Sequence, residues 1–224
     1  GAKNMYKNLE NGRSMIEMLG VLAIIAILSV GGIAGYSKAM EKWKVNKSVE
    51  QYNYMVIGLL EHLDEFKNRS SSICSVWGIR DWSYCGLKSY LRAAHLVPDD
   101  WQDSVDNLLV DSNGNVISVF SRGGRLVIDM HIGGFAILQD GTGKTPHFPV
   151  DMCRHILNDV AKPLQDVIQF VWVYKSGKNN PKFYGKYYCS KNSKCLRDIT
   201  LNEINTECSG CTTGTKSCSV TFEF

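Results

Sequence analysis

Proline is missing from the first 97 residues; the earliest of five is Pro98. Nothing in that stretch therefore forces a helix to stop by removing a donor and crowding the preceding turn. Cysteine is also missing until Cys74, and no two CxxC pairs occur, so a four-thiolate zinc ribbon is excluded. An excess of one charge is lacking too. Lysine and arginine number 25 against 22 aspartates and glutamates, and the net charge of +3 is small and scattered. That balance gives no electrostatic footprint for nucleic acid, and no nucleic-acid partner is expected. His62, His95, His131 and His147 stand without metal-ligand spacing. No catalytic residue, metal or cofactor is expected.

What is present is concentrated at the two ends. With 224 residues, 44% of them hydrophobic, the chain suits one globular body with an appendage better than two full domains. Met15 to Gly35 is a 21-residue apolar run whose only ionisable member is Glu17. At a rise of about 1.5 Å per residue it makes a helix of about 30 Å, the thickness of a bilayer's hydrocarbon. A cleaved secretory signal is the competing reading, but its apolar region runs about 7 to 15 residues. Beyond the run, Val49, Tyr52, Val56, Leu59, Leu63 and Phe66 recur three and four apart, an amphipathic stripe. The pattern predicts one helix from about Ser14 to about Asn68, weakest at Gly31, Gly32 and Gly35 and ended by Ser70, Ser71 and Ser72.

All eight cysteines follow the run: Cys74, Cys85, Cys153, Cys189, Cys195, Cys208, Cys211 and Cys218. An even number behind an export-type segment reads as a disulfide framework formed outside the cytoplasm. Eight cysteines allow 105 pairings. Local loops Cys74 to Cys85 and Cys189 to Cys195 are preferred, with Cys153 tied to one of Cys208, Cys211 or Cys218. The competing arrangement is a zinc site on Cys208-x-x-Cys211 with Cys189, Cys195 or Cys218.

The body between these landmarks reads as helix and loop followed by antiparallel strands. Asp81 to Ala94 and Asp99 to Val105 are expected to be helical. Leu108 to Asp111 and Val116 to Ser121 flank Asn113-Gly114, a hairpin turn signal, and Gly123-Gly124 precedes a strand from Leu126 to His131. A helix over Pro149 to Val160, a buried strand over Val167 to Tyr174 and a capping box at Thr200-x-x-Glu203 are expected next. The last segment, Cys218 to Phe224, alternates as a strand does.

Three apparent chemical motifs fail on spacing. Gly141-Thr142-Gly143-Lys144-Thr145 resembles the end of a phosphate-binding loop, but Leu138 occupies the position of its first glycine. Asp111-Ser112-Asn113-Gly114-Asn115 has Val116 where a calcium loop needs glycine. Cys153 and His155 are too close on one helix to face each other as nucleophile and base.

A carboxylate two residues into a membrane-spanning run is costly and calls for a partner. Here Gly12-Arg13-Ser14-Met15-Ile16-Glu17-Met18-Leu19, behind a short basic leader, resembles the processing site of type IV prepilins. The resemblance implies cleavage after Gly12 by a prepilin peptidase, N-methylation of Arg13, and Glu17 as the fifth mature residue. Glu17 would then pair with the amino terminus of a neighbouring subunit and set the axial register. Arg13 stands where the family usually has an apolar residue, and Ala34 where many members have proline. The late cysteine and terminal strand resemble the type IVb branch.

The resemblance further implies an α+β pilin fold: a long N-terminal α-helix packed on an antiparallel β-sheet, with a disulfide-closed C-terminal region. The divisions are a leader over 1–12, a transmembrane and filament-core helix over 13–35, the amphipathic second half over 36–68, and an external globular domain over 69–224. The implied partners are other subunits, the membrane, the prepilin peptidase, and an inner-membrane assembly platform with its ATPase. The location is the bacterial inner membrane before assembly and an external filament after it. A type II secretion pseudopilin and a membrane-anchored binding module that does not polymerise are the other readings.

Overall fold

The structure is a computed structural model that describes residues 2–67, 84–104, 107–137, 143–211 and 217–224, with side chains from Met15 onward except those of Lys67, Tyr84, Cys85 and Ile137. It divides into two units, Gly1–Lys44 and Val45–Phe224. The fold is α+β.

Helix α1 runs Ala2–Leu60, without a break at Gly31, Gly32 or Gly35. It begins before the expected Ser14 and ends before the expected Asn68. The chain turns at Glu61 and His62, where the His62 N–H bonds back to the Leu59 carbonyl, and continues in α2, Leu63–Lys67. The serine cluster at 70–72 lies outside the described residues.

The second unit starts where α1 acquires its stripe. Val45, Ser48, Tyr52, Met55, Val56 and Leu59 are buried there, with Val49 packed at the edge. Fully covering Tyr52, Met55, Val56, Leu59 and Phe66 contributes about 10 kcal/mol of apolar transfer. At Gly58 an added side chain would run into the Leu96 side chain, which packs directly on the helix backbone there.

The strands are β1 (Tyr84–Gly86), β2 (Gln102–Asp103), β3 (Leu108–Val110), β4 (Val116–Arg122), β5 (Arg125–His131), β6 (Ala136–Ile137), β7 (Gly143–Lys144), β8 (Phe170–Lys175), β9 (Phe183–Tyr184), β10 (Lys194–Cys195) and β11 (Cys218–Glu223). Nine of them form one sheet in the order β10-β9-β8-β11-β5-β4-β3-β2, with β1 and β3 sharing one edge of β4. All pairs are antiparallel except β10 with β9. The expected turns form: Gly114 closes β3 to β4, and Gly123 and Gly124, both at positive φ, close β4 to β5. The remaining helices are α3 (Lys88–Ala93), α4 (Val150–His155), extended by a π turn over Ile156–Ala161, and α5 (Leu201–Ser209).

Alternation divides the sheet into two faces. Ile117 and Val119, Leu126, Ile128 and Met130, Val220 and Phe222, and Val171 and Val173 line the face that joins α1 in the core. The opposite face carries Ser118, Asp129, Thr221 and Trp172 in one cross-strand row. Thr221 donates to Asp129 at 2.6 Å, and burial raises the Asp129 carboxyl above the usual carboxylate range.

Two expectations need correction. Tyr84–Gly86 is strand, not helix, because its backbone finds a partner along Phe120–Arg122; residues 81–83 lie outside the described residues. The segment at Trp101 is likewise not helical. Arg92 donates to the Pro98 and Trp101 carbonyls and to Asp103, occupying acceptors that a helix would use, and Gln102–Asp103 pairs with β3. The last strand forms as expected and is central. It lies between β8 and β5, and its polar residues Ser219, Thr221 and Glu223 are buried along with its apolar ones. Glu223 is neutralised there by Arg122 at 2.8 Å and Arg125 at 3.1 Å.

Candidate assembly helix

The first unit has a sequence that makes helix without help from packing. Between Met15 and Gly35 it is rich in leucine, isoleucine, alanine and methionine, and α1 passes through its glycines because no proline competes. Every side chain from Met15 to Ala39 is exposed. Ile16 and Ile27 each show 72% of their surface, and even Ile25 shows 52%. A helix apolar on all sides belongs in lipid or among other helices. Leaving some dozen large apolar side chains in water forgoes tens of kcal/mol, at about 1.5 to 3 kcal/mol each. The span of Met15–Leu60 contains a window of mean hydropathy 2.4 with no part of it buried, so by length and composition it is able to cross a membrane.

Glu17 lies near the start of this surface, exposed and four residues after Arg13 on the same helix. The backbone of Gly12 and Arg13 belongs to α1; their side chains lie outside the described ones.

The cysteines are distributed over the second unit. Cys153 of α4 bridges Cys208 of α5 across 55 residues of chain, with Cα atoms 5.8 Å apart. Cys189 bridges Cys195, and Cys211 bridges Cys218. The five cysteines of the zinc arrangement are thus all consumed in bridges, which removes that reading. The bridges gather the end of α5 between α4 and the start of β11. Beside them Lys175 of β8 and Glu207 of α5 form a buried ion pair at 2.5 Å. Cys74 and the side chain of Cys85 lie outside the described residues.

The rejected motifs have other uses. Gly143 and Lys144 form β7, paired with β6, and the Thr145 hydroxyl exchanges hydrogen bonds with the main chain of Cys218. Asp111 accepts from the Asn113 and Asn115 N–H groups and from the Tyr52 hydroxyl, so its oxygens are occupied within the protein. The shallow groove of about 400 Å³ between α4 and α5 holds Arg154, bonded to Asp151 and Asn205, and His155, 2.6 Å from Asp159. Its charged groups are satisfied among themselves.

Sequence reasoning found the apolar run and Glu17; it missed the anchoring of α1 through Ser48, Met55 and the Tyr52 hydroxyl. Comparison of the chain with protein-family models, with characterised proteins and with solved structures finds no match.

Proposed function

We propose that this chain is a structural subunit of a type IV pilus-like filament. The observation that carries the proposal is the helix from Met15 to Gly35, apolar on all sides, uncovered, and interrupted by the single carboxylate Glu17. Such a surface needs an apolar solvent throughout the subunit's life. Lipid supplies it before assembly, and the same helices of neighbouring copies supply it afterwards.

In this reading the prepilin peptidase cuts between Gly12 and Arg13. The new amino terminus at Arg13 is methylated, and Glu17 of an adjacent copy pairs with it, because two opposite charges entering an apolar core together avoid the cost of entering singly. Extraction from lipid is costly, so an inner-membrane platform with an ATPase drives it. The disulfides and the buried ion pair hold the outward-facing body in an oxidising environment. The role is assembly, with no bond made or broken by the subunit itself.

The test is the mature N-terminus, read by mass spectrometry after co-expression with a prepilin peptidase, in the natural chain and in Gly12→Ala. A peptidase-dependent start at Arg13 that the substitution abolishes is the expected result. An intact N-terminus in both samples would leave a membrane-anchored module that does not polymerise.

A further inference from the structure

The far end of the apolar run has a composition of its own. Directly after Gly35 the chain reads Tyr36-Ser37-Lys38-Ala39-Met40-Glu41-Lys42-Trp43-Lys44, so that three lysines and two large aromatics follow within nine residues, opposed only by Glu41. All nine lie on α1 and inside the unit Gly1–Lys44. Tyr36 and Trp43 are 68% and 54% exposed, and the side chains of Lys38, Lys42 and Lys44 are exposed with them. Tyr36, Met40 and Trp43, spaced four and then three apart, share one face of the helix. Lys38 and Lys42, four apart, fall on the opposite face, and Lys44 falls between the two. Aromatic and cationic groups together thus ring the helix at the point where its apolar surface ends.

We propose that this ring is a collar that binds anionic phospholipid headgroups at the external surface of the membrane. The inference rests on the membrane stage of the filament reading above and adds a lipid class to it. Length places the ring: Tyr36 follows Glu17 by 19 residues, about 28 Å along an α-helix. When Tyr36 stands at one boundary of a hydrocarbon layer about 30 Å thick, Glu17 therefore stands at the other. The next few residues cross the headgroup layer, and Lys42 and Lys44 reach back into it along their four-carbon stems. Chemistry fits the same depth, since tyrosine and tryptophan lay an apolar ring against acyl chains and turn a polar atom toward water. Charge supplies the class of lipid. In the filament reading the body is external, so these lysines sit on the translocated side of the span, where short flanks are ordinarily poor in lysine. A net negative headgroup gives them a counter-charge that a net neutral one does not.

The experiment is native mass spectrometry of the full chain in mild detergent, titrated with phosphatidylglycerol and separately with phosphatidylcholine. A preference for phosphatidylglycerol is expected. It should fall about fivefold for each of Lys38→Gln, Lys42→Gln and Lys44→Gln, the contribution of one cation beside a charged headgroup layer. Lys38→Arg, Lys42→Arg and Lys44→Arg should keep it, which separates charge from misfolding. In cells, photo-reactive benzoylphenylalanine at position 43 should cross-link to phospholipid. Equal retention of both lipids by chains still cut after Gly12, or a preference that glutamine at all three positions leaves unchanged, would overturn the collar alone. Cross-links from position 43 to a second copy of the chain and to no lipid would assign the ring to assembly and overturn the collar as well. Release of the chain from membranes by alkaline carbonate would overturn the membrane stage of the filament reading and this inference with it.

Discussion

Removing one oxygen from the core tests how α1 is fastened to the body. The Tyr52 hydroxyl is buried; it donates to Asp111 Oδ2 at 2.5 Å and accepts from Asn115 Nδ2 at 3.0 Å. Asp111 also holds the Asn113 and Asn115 N–H groups at 2.9 and 2.8 Å, and Asn115 reaches the Gly133 N–H, so one phenol joins the helix to two strand ends. Tyr52→Phe keeps the ring against Trp101, whose centroid is 5.9 Å away, and deletes only the hydroxyl, whose strongest bond is the one to a carboxylate. Such bonds contribute about 1.5 to 3 kcal/mol, so a loss of about 2 kcal/mol is expected. Asp111→Ala should cost more, about 4 kcal/mol, because it strands the phenol and two backbone donors. Urea titration of the full chain in mild detergent, followed by tryptophan fluorescence, gives both values, and the double variant gives their coupling. Burial, and then the neighbouring Asp111 charge, hold the Tyr52 hydroxyl well above its ordinary range. Its contribution is therefore fully present below about pH 10, where the unfolded phenol is protonated, and is lost as pH rises beyond that. The advantage of the natural chain over Tyr52→Phe should shrink above pH 10. A loss under about 0.5 kcal/mol, with no coupling to Asp111, would refute the reasoning.

Two further outcomes are checked by the same titration. Removing the Cys153–Cys208 bridge by paired serine substitution should cost about 4 kcal/mol, against about 2 kcal/mol for the short Cys189–Cys195 loop, because the entropy restored to the unfolded chain grows with loop length. At α5, bonds from the Thr200 N–H and hydroxyl hold Glu203 below its ordinary range. Its stabilisation is thus present above the unfolded value near pH 4.3 and lost as pH falls through the lower folded value, so Glu203→Gln should approach the natural chain as pH falls below about 4.3.

Local signals were legible where the chemistry is local. Asn113-Gly114 and Gly123-Gly124 announce turns because only such residues enter positive φ readily, and Thr200 with Glu203 makes a capping box by reciprocal bonds that need no other element. The stripe from Val49 to Phe66 was legible because burial on one face leaves a period. Elements decided at long range were not. Tyr84–Gly86 becomes strand only because β4 has a vacant edge beyond β3, and Gln102–Asp103 only because Arg92 captures the carbonyls before it. Cys153 had three C-terminal candidates in sequence, and the packing of α4 on α5 selects Cys208.

The alternation at the C-terminus shows why pattern alone could not place the strand. Cys218, Val220, Phe222 and Phe224 enter the core, and Ser219, Thr221 and Glu223 point the other way, so period 2 holds. Polar residues on one face suggest solvent, yet here they are covered. Thr221 is spent on Asp129, and Glu223 on Arg122 and Arg125. A buried carboxylate with two guanidinium partners fixes β11 against β4 and β5 through charge, while the opposite face fixes it through apolar packing. The bridge at Cys218 and the main-chain bonds to Thr145 then hold the strand's first residue. The last strand of the chain is held on both faces and at its leading end, by apolar packing, by charge and by a covalent bridge.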